Sequence, residues 1–159
     1  MKNKTVPKAA FDKKTVSSKK WKDPMLGAMP AIDGKLPLSW RFSHCDKDGP
    51  FGWNLSSADI YEVMQKLPEF ETRNWDGLLA ARCHPIPFAQ LEKAARDRLE
   101  KIELNDIDEL MTFHLSGAKR IWCVQDGSLM RVLWWDPRHE VYKTEKDRED
   151  RKKRKLRSR

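Results

Sequence analysis

Cysteine is scarce in this chain: Cys45, Cys83 and Cys123 are the three in 159 residues. An odd count without a Cys-x-x-Cys spacing argues against a disulfide framework. Long apolar runs are missing as well. None approaches the ~20 residues of a membrane span, so no membrane partner is expected. The opening stretch MKNKTVPKAAFDKKTVSSKK is basic but lacks the apolar centre of a secretory signal, which points to a cytoplasmic protein. Internal repeats are absent. So are a Gly-rich phosphate loop, a GxSxG elbow and a HExxH helix, and no cofactor is expected.

What is present is charge, unevenly placed. The chain carries 32 Lys and Arg against 24 Asp and Glu, a net +8. Residues 1–22 hold eight Lys and one Asp, and residues 143–159 hold ten basic and four acidic residues. The two ends therefore hold +13, and the middle, 23–142, carries −5. Basic ends of this kind either grip phosphate without reading sequence or keep a small protein soluble. Lys152, Lys153 and Arg154 form the densest cluster.

The organisation expected is a basic N-terminal arm (1–37) without regular structure, a single domain (38–142) and a basic C-terminal tail (143–159). LPLSWRFS alternates, with Leu38, Trp40 and Phe42 on one side, and reads as a half-buried strand. Ser56 followed by Asp59 marks a helix start. Ile60, Val63, Met64 and Leu67 form its apolar stripe, and Pro68 should end it. ETRNWDGLLAAR reads as a second short helix. PFAQLEKAARDRLEKIEL reads as a third, opening at Pro87, with a further turn over NDIDELM capped by Asn105. The period then changes from 3.6 to 2, and TFHLS, RIWCVQ and SLMRVLWW read as a three-stranded antiparallel meander. Asp126-Gly127 is a strong hairpin signal. A two-residue turn there places Ile121, Cys123, Met130, Val132 and Trp134 on one face. It places Arg120, Trp122, Val124, Leu129, Arg131, Leu133 and Trp135 on the other. A three-residue turn over Gly117-Ala118-Lys119 adds His114 to this second face; a two-residue turn would bury His114 instead. The fold class is α+β, with the helices on one face of the sheet.

The second face and the residues after it gather His114, Arg120, Trp122, Arg131, Trp135, Arg138, His139 and Tyr142. Guanidinium groups can hold a phosphate, and His or Tyr can move a proton. Exposed Trp can stack on a base. The bland alternative is a sheet face covered by other parts of the chain. His44-Cys45 and Cys83-His84 raise zinc, but neighbours on a strand point to opposite faces, and no metal site is assigned. Asp106, Asp108 and Glu109 are read as helix caps.

The order strand (38–43), helices (57–103) and meander (112–136), closing on RIWCVQDGSLMRVLWWDPRHEVYK, resembles the RelE/ParE toxin superfamily, in its RelE, YoeB and HigB branches. The ending LMRVLWWDPRHEVY is also similar to small uncharacterised bacterial and phage proteins. The resemblance implies a metal-free endoribonuclease acting on ribosome-bound mRNA and neutralised by an antitoxin protein. Arg120 and Arg131 would match the family's sheet arginines, and His139 and Tyr142 its C-terminal acid/base groups. RNA or the ribosome would be the partner. A non-enzymatic module whose basic tails grip phosphate is the other reading.

Overall fold

In a computed structural model, residues 37–157 are described; the backbone of Arg151 is included but not its side chain. The expected N-terminal arm lies almost wholly outside the described residues. The rest is α+β, and its sheet has five strands rather than four. These are β1 (Ser39–Arg41), β2 (His84–Pro87), β3 (Glu109–His114), β4 (Arg120–Asp126) and β5 (Leu129–Asp136), in the order β1-β5-β4-β3-β2. β1 runs parallel to β5, and the other pairs are antiparallel. The helices are α1 (Ser57–Glu71), α2 (Trp75–Ala80), α3 (Lys93–Lys101) and α4 (Glu145–Arg157). None among the described residues is long and apolar enough to cross a membrane.

Helices cover both sides of the sheet, not one. On the first side, Val63, Leu67 and Phe70 of α1 and Leu78 of α2 bury against Met111, Phe113, Ile121, Cys123, Met130, Val132 and Trp135. On the second, Ala95 and Leu99 of α3, with Phe51, Leu91 and Val141, cover Leu110, Trp122, Leu133 and Trp134. A sheet sandwiched in this way buries both sets of alternating side chains, each large one contributing about 1.5–3 kcal/mol. The cationic-aromatic face expected from the meander is therefore, through its middle, a second core.

Three local expectations change. The α1 stripe is rotated: Ile60 and Met64 are exposed, and Phe70 takes the inner position. Pro68 lies inside α1, which continues to Glu71. The proline removes one backbone donor. Burial of Leu67 and Phe70, the latter tilted against Phe113 with ring centres 5.3 Å apart, offsets the loss. The third helix begins at Lys93 rather than Pro87, because His84–Pro87 pairs with β3 and Phe88–Gln90 forms a 3-10 turn. The extra helical turn over NDIDELM is absent. β3 begins at Glu109 instead, with Leu110 and Met111 entering opposite cores.

The β4–β5 hairpin keeps the expected alternation near its turn but not beyond. Asp126 pairs with Leu129 and Cys123 with Val132, while Trp122 pairs with Trp134 and Ile121 with Trp135. One extra residue, Leu133, bulges from β5 between these registers. Its carbonyl accepts the Asp46 N–H at 2.9 Å, and the Trp135 N–H donates to Phe51 O at 3.1 Å. The 46–51 loop thus completes the edge of β5 beyond β1. The bulge exchanges the two tryptophans: Trp135 enters the first core and Trp134 the second, the reverse of the sequence expectation.

Candidate phosphate-binding cleft

At one end of the second face the apolar residues give way to polar ones. His114 pairs with Arg120, and Arg120 with Asp136, so the three stand in a row across β3, β4 and β5. Asp136 is 1% exposed. Its carboxylate accepts the Trp122 indole N–H at 3.3 Å and the backbone N–H groups of Arg138, Glu140 and Val141 at 3.3, 2.9 and 3.0 Å. Four donors around one carboxylate wind residues 136–141 into a tight loop, and fully buried Val141 pins its far end. Inside it His139 adopts a left-handed backbone, φ 57°. A non-glycine residue there is sparsely populated and costs of order 1 kcal/mol or more.

That conformation lays the His139 ring on Asp147, with Nδ1 3.4 Å from Oδ2. Asp147 in turn accepts from the Thr144 N–H at 2.9 Å and hydroxyl at 2.6 Å, and so caps α4. Tyr142 sits edge-on to His139, ring centres 6.3 Å apart, and leans on the second core.

The opposite wall is the β3–β4 turn. Gly117 takes a positive φ of 52°. Its carbonyl accepts from His114 Nε2 at 3.1 Å and from Arg120 Nη1 at 2.9 Å. His114 therefore carries its proton on Nε2 and presents a lone pair at Nδ1. The turn is tied to α1 by Lys119, whose Nζ lies 2.9 Å from Asp59 and 2.7 Å from Glu62, and by the Ser116 hydroxyl, which donates to Glu62.

Between these walls lies a cleft of about 620 Å³. Arg82, Arg120, Arg138, Lys143 and Arg154 line it with His139, and so do Glu140, Asp147 and Asp150. Burial, then the charge of Arg120, pushes the His139 imidazole below its ordinary pKa, against a partial upward pull from Asp147. Burial and then Arg120 lower His114 likewise. Arg120 is itself lowered by burial, with Asp136 restoring part of the loss. Both imidazoles are thus biased toward the neutral form, beside a fixed guanidinium.

The structure brings together Arg120, Arg138, His139 and Arg154 of the expected residues, with Tyr142 behind His139 and His114 behind Arg120. It does not bring the others. Trp122 and Trp135 are 0% and 3% exposed and present no ring face to a base. Arg131 is buried and donates to Asp126 at 2.5 Å. It lies four residues along the ladder from Arg120, roughly 13 Å at ~3.3 Å per residue. Lys152 and Lys153 are exposed on α4 outside the cleft. Arg82 and Lys143 were missed. Nothing local marks Arg82, whose positive φ of 61° precedes an unforeseen strand. The Thr144–Asp147 cap was legible as a Thr-x-x-Asp pattern and was passed over. Among the described residues no cluster of three or more His, Cys, Asp or Glu could hold a metal. Compared with protein-family models, curated proteins and solved structures, the chain matches none.

Proposed function

We propose that this protein binds RNA by seating a backbone phosphate in the cleft between the β3–β4 turn and the loop after β5. The convergence of Arg82, Arg120 and Arg138 on one concave site carries the reading, because three guanidiniums in a partly desolvated cleft match phosphate oxygens better than scattered surface charge. The exposed basic end of α4 adds a sequence-blind contact. The test is fluorescence anisotropy with a labelled single-stranded RNA of about 12 nucleotides at ~0.15 M salt. Arg120→Ala should weaken binding by roughly tenfold. Arg131→Ala, already committed to Asp126, should leave it within about twofold. Equal losses in the two variants would sink the assignment of the cleft.

The metal-free endoribonuclease implied by the RelE-like resemblance is the second reading, and one observation favours it. His139 and His114 lie near Arg120 with opposite nitrogens free, Nε2 on the first and Nδ1 on the second. A neutral imidazole can take the proton of a 2′-hydroxyl while a guanidinium steadies the phosphate. Induced expression should then arrest growth with cleavage of ribosome-bound mRNA, and His139→Ala should abolish both. An antitoxin partner belongs to this reading alone. Growth that continues, with RNA bound but intact, leaves the binding module.

A further inference from the structure

Taking the cleft as an RNA phosphate site, we propose that α4 is an autoinhibitory lid, whose Asp147 and Asp150 carboxylates occupy the cationic cleft until a polyanion displaces them.

Both carboxylates line the same cavity as Arg82, Arg120 and Arg138. Acidic residues at a helix start are ordinarily dipole-complementing caps. That accounts for Glu145 and Asp147 in the first turn, but not for Asp150, a turn further on and also in the cleft.

The attachment of α4 is the second observation. Its described side chains are all exposed, including Leu156 at 76%. Ion pairs fasten its first turn: Asp147 to His139 at 3.4 Å, and Arg148 to Glu92 at 3.0 Å. Pairs of this kind are weak and screened by salt. A first turn fastened by ion pairs can give them up to another anion at little cost.

The third is the order of charge along the helix. Its acids, Glu145, Asp147, Glu149 and Asp150, come first, and from 151 onward it is basic. An approaching RNA meets Lys152 and Lys153, which are exposed and lie outside the cleft. Once held there, its phosphates compete at high local concentration with Asp147 and Asp150 for the arginines. RNA opens the lid only because it binds the open state more tightly than the closed one.

The test compares two charge-matched pairs in the full chain with the same labelled RNA. Asp147→Asn with Asp150→Asn should tighten binding about tenfold, within the usual range of such couplings. Glu145→Gln with Glu149→Gln removes equal charge outside the cleft and should tighten it by no more than about twofold. Asp150→Asn alone, which leaves the Thr144 cap intact, should retain part of the gain. Equal tightening by the two pairs overturns the lid while leaving the RNA site standing. RNA bound by no variant sinks the RNA site itself. The closed position has a ligand-free readout: an NMR titration of His139 should show a lower pKa in Asp147→Asn than in the wild type. No change would mean that α4 does not rest over the cleft, and the lid fails whatever RNA does.

Discussion

Trp122 and Trp134 face each other across β4 and β5, yet their indoles donate in different directions. Trp134 donates to Asp46 at 2.9 Å, and Trp122 to Asp136 at 3.3 Å. Each carboxylate is buried, and each fixes a loop beside β5. The means differ. Asp46 is gripped by the Arg98 guanidinium through two bonds, at 2.7 and 2.5 Å, with one backbone N–H from Asp48 at 3.3 Å. Asp136 is gripped by the indole and three backbone N–H groups of its own loop. A side-chain partner comes from elsewhere in the fold and fastens one element to another. Backbone partners define the shape of the loop that supplies them. The first arrangement is an attachment, and the second a mould for the site.

The largest effect should come from breaking the mould. Asp136→Ala leaves a buried indole and several backbone N–H groups unpaired and should cost about 3 kcal/mol in urea unfolding. Cleft binding should fall with it, because His139 and Arg138 lose their placement. Asp46→Asn should cost somewhat less, about 2 kcal/mol, since Arg98 keeps some access to water. It should also alter the acid limb. The hydrogen bonds from Arg98, against some burial, hold the Asp46 carboxyl below its ordinary pKa. That contribution is complete above the unfolded value of about 3.9 and is lost as pH falls through the lower folded one. The gap between wild type and variant should thus be constant above about pH 5 and close below pH 4. The smallest effects belong to the indoles. Trp122→Phe and Trp134→Phe should each cost about 1–2 kcal/mol. Of the two, Trp122→Phe should weaken RNA binding and Trp134→Phe should not. Identical behaviour would mean that the two carboxylates play the same part.

How much of this was legible follows from the range of the interactions. Ser56 with Asp59, and a second short helix within ETRNWDGLLAAR, came from local rules and stand. The alternation of β4 told throughout which residues share a face, and that of β5 did so until the bulge, where tertiary demand for Leu133 and Trp134 in one core outweighed the simple period. β2 was hidden because His84–Pro87 contains two prolines, which read as breakers yet suit an edge strand. β1 beside β5 joins residues 39–41 to 129–131, a pairing no local pattern announces. The site was half visible for the same reason. PRHEVY stood out as a cluster. The burial of Trp122 and the capture of Arg131 by Asp126 depend on contacts outside any sequence window.

The bulge at Leu133 has a consequence for what mutation can do to this protein. With the register of the turn continued unbroken, Arg120 would lie opposite Trp135, and Asp136 would turn toward the first core. The carboxylate that shapes the 136–141 loop reaches the cleft only because one residue goes uncounted by the partner strand. Fold and site are therefore in different reading phases of the same strand. Deleting a single residue near 133 is the shortest step that could keep a hairpin and erase the cleft, while substitution at the same position keeps the register and costs core packing. A missing residue here changes which side chains reach the cleft; a changed one changes only how they pack.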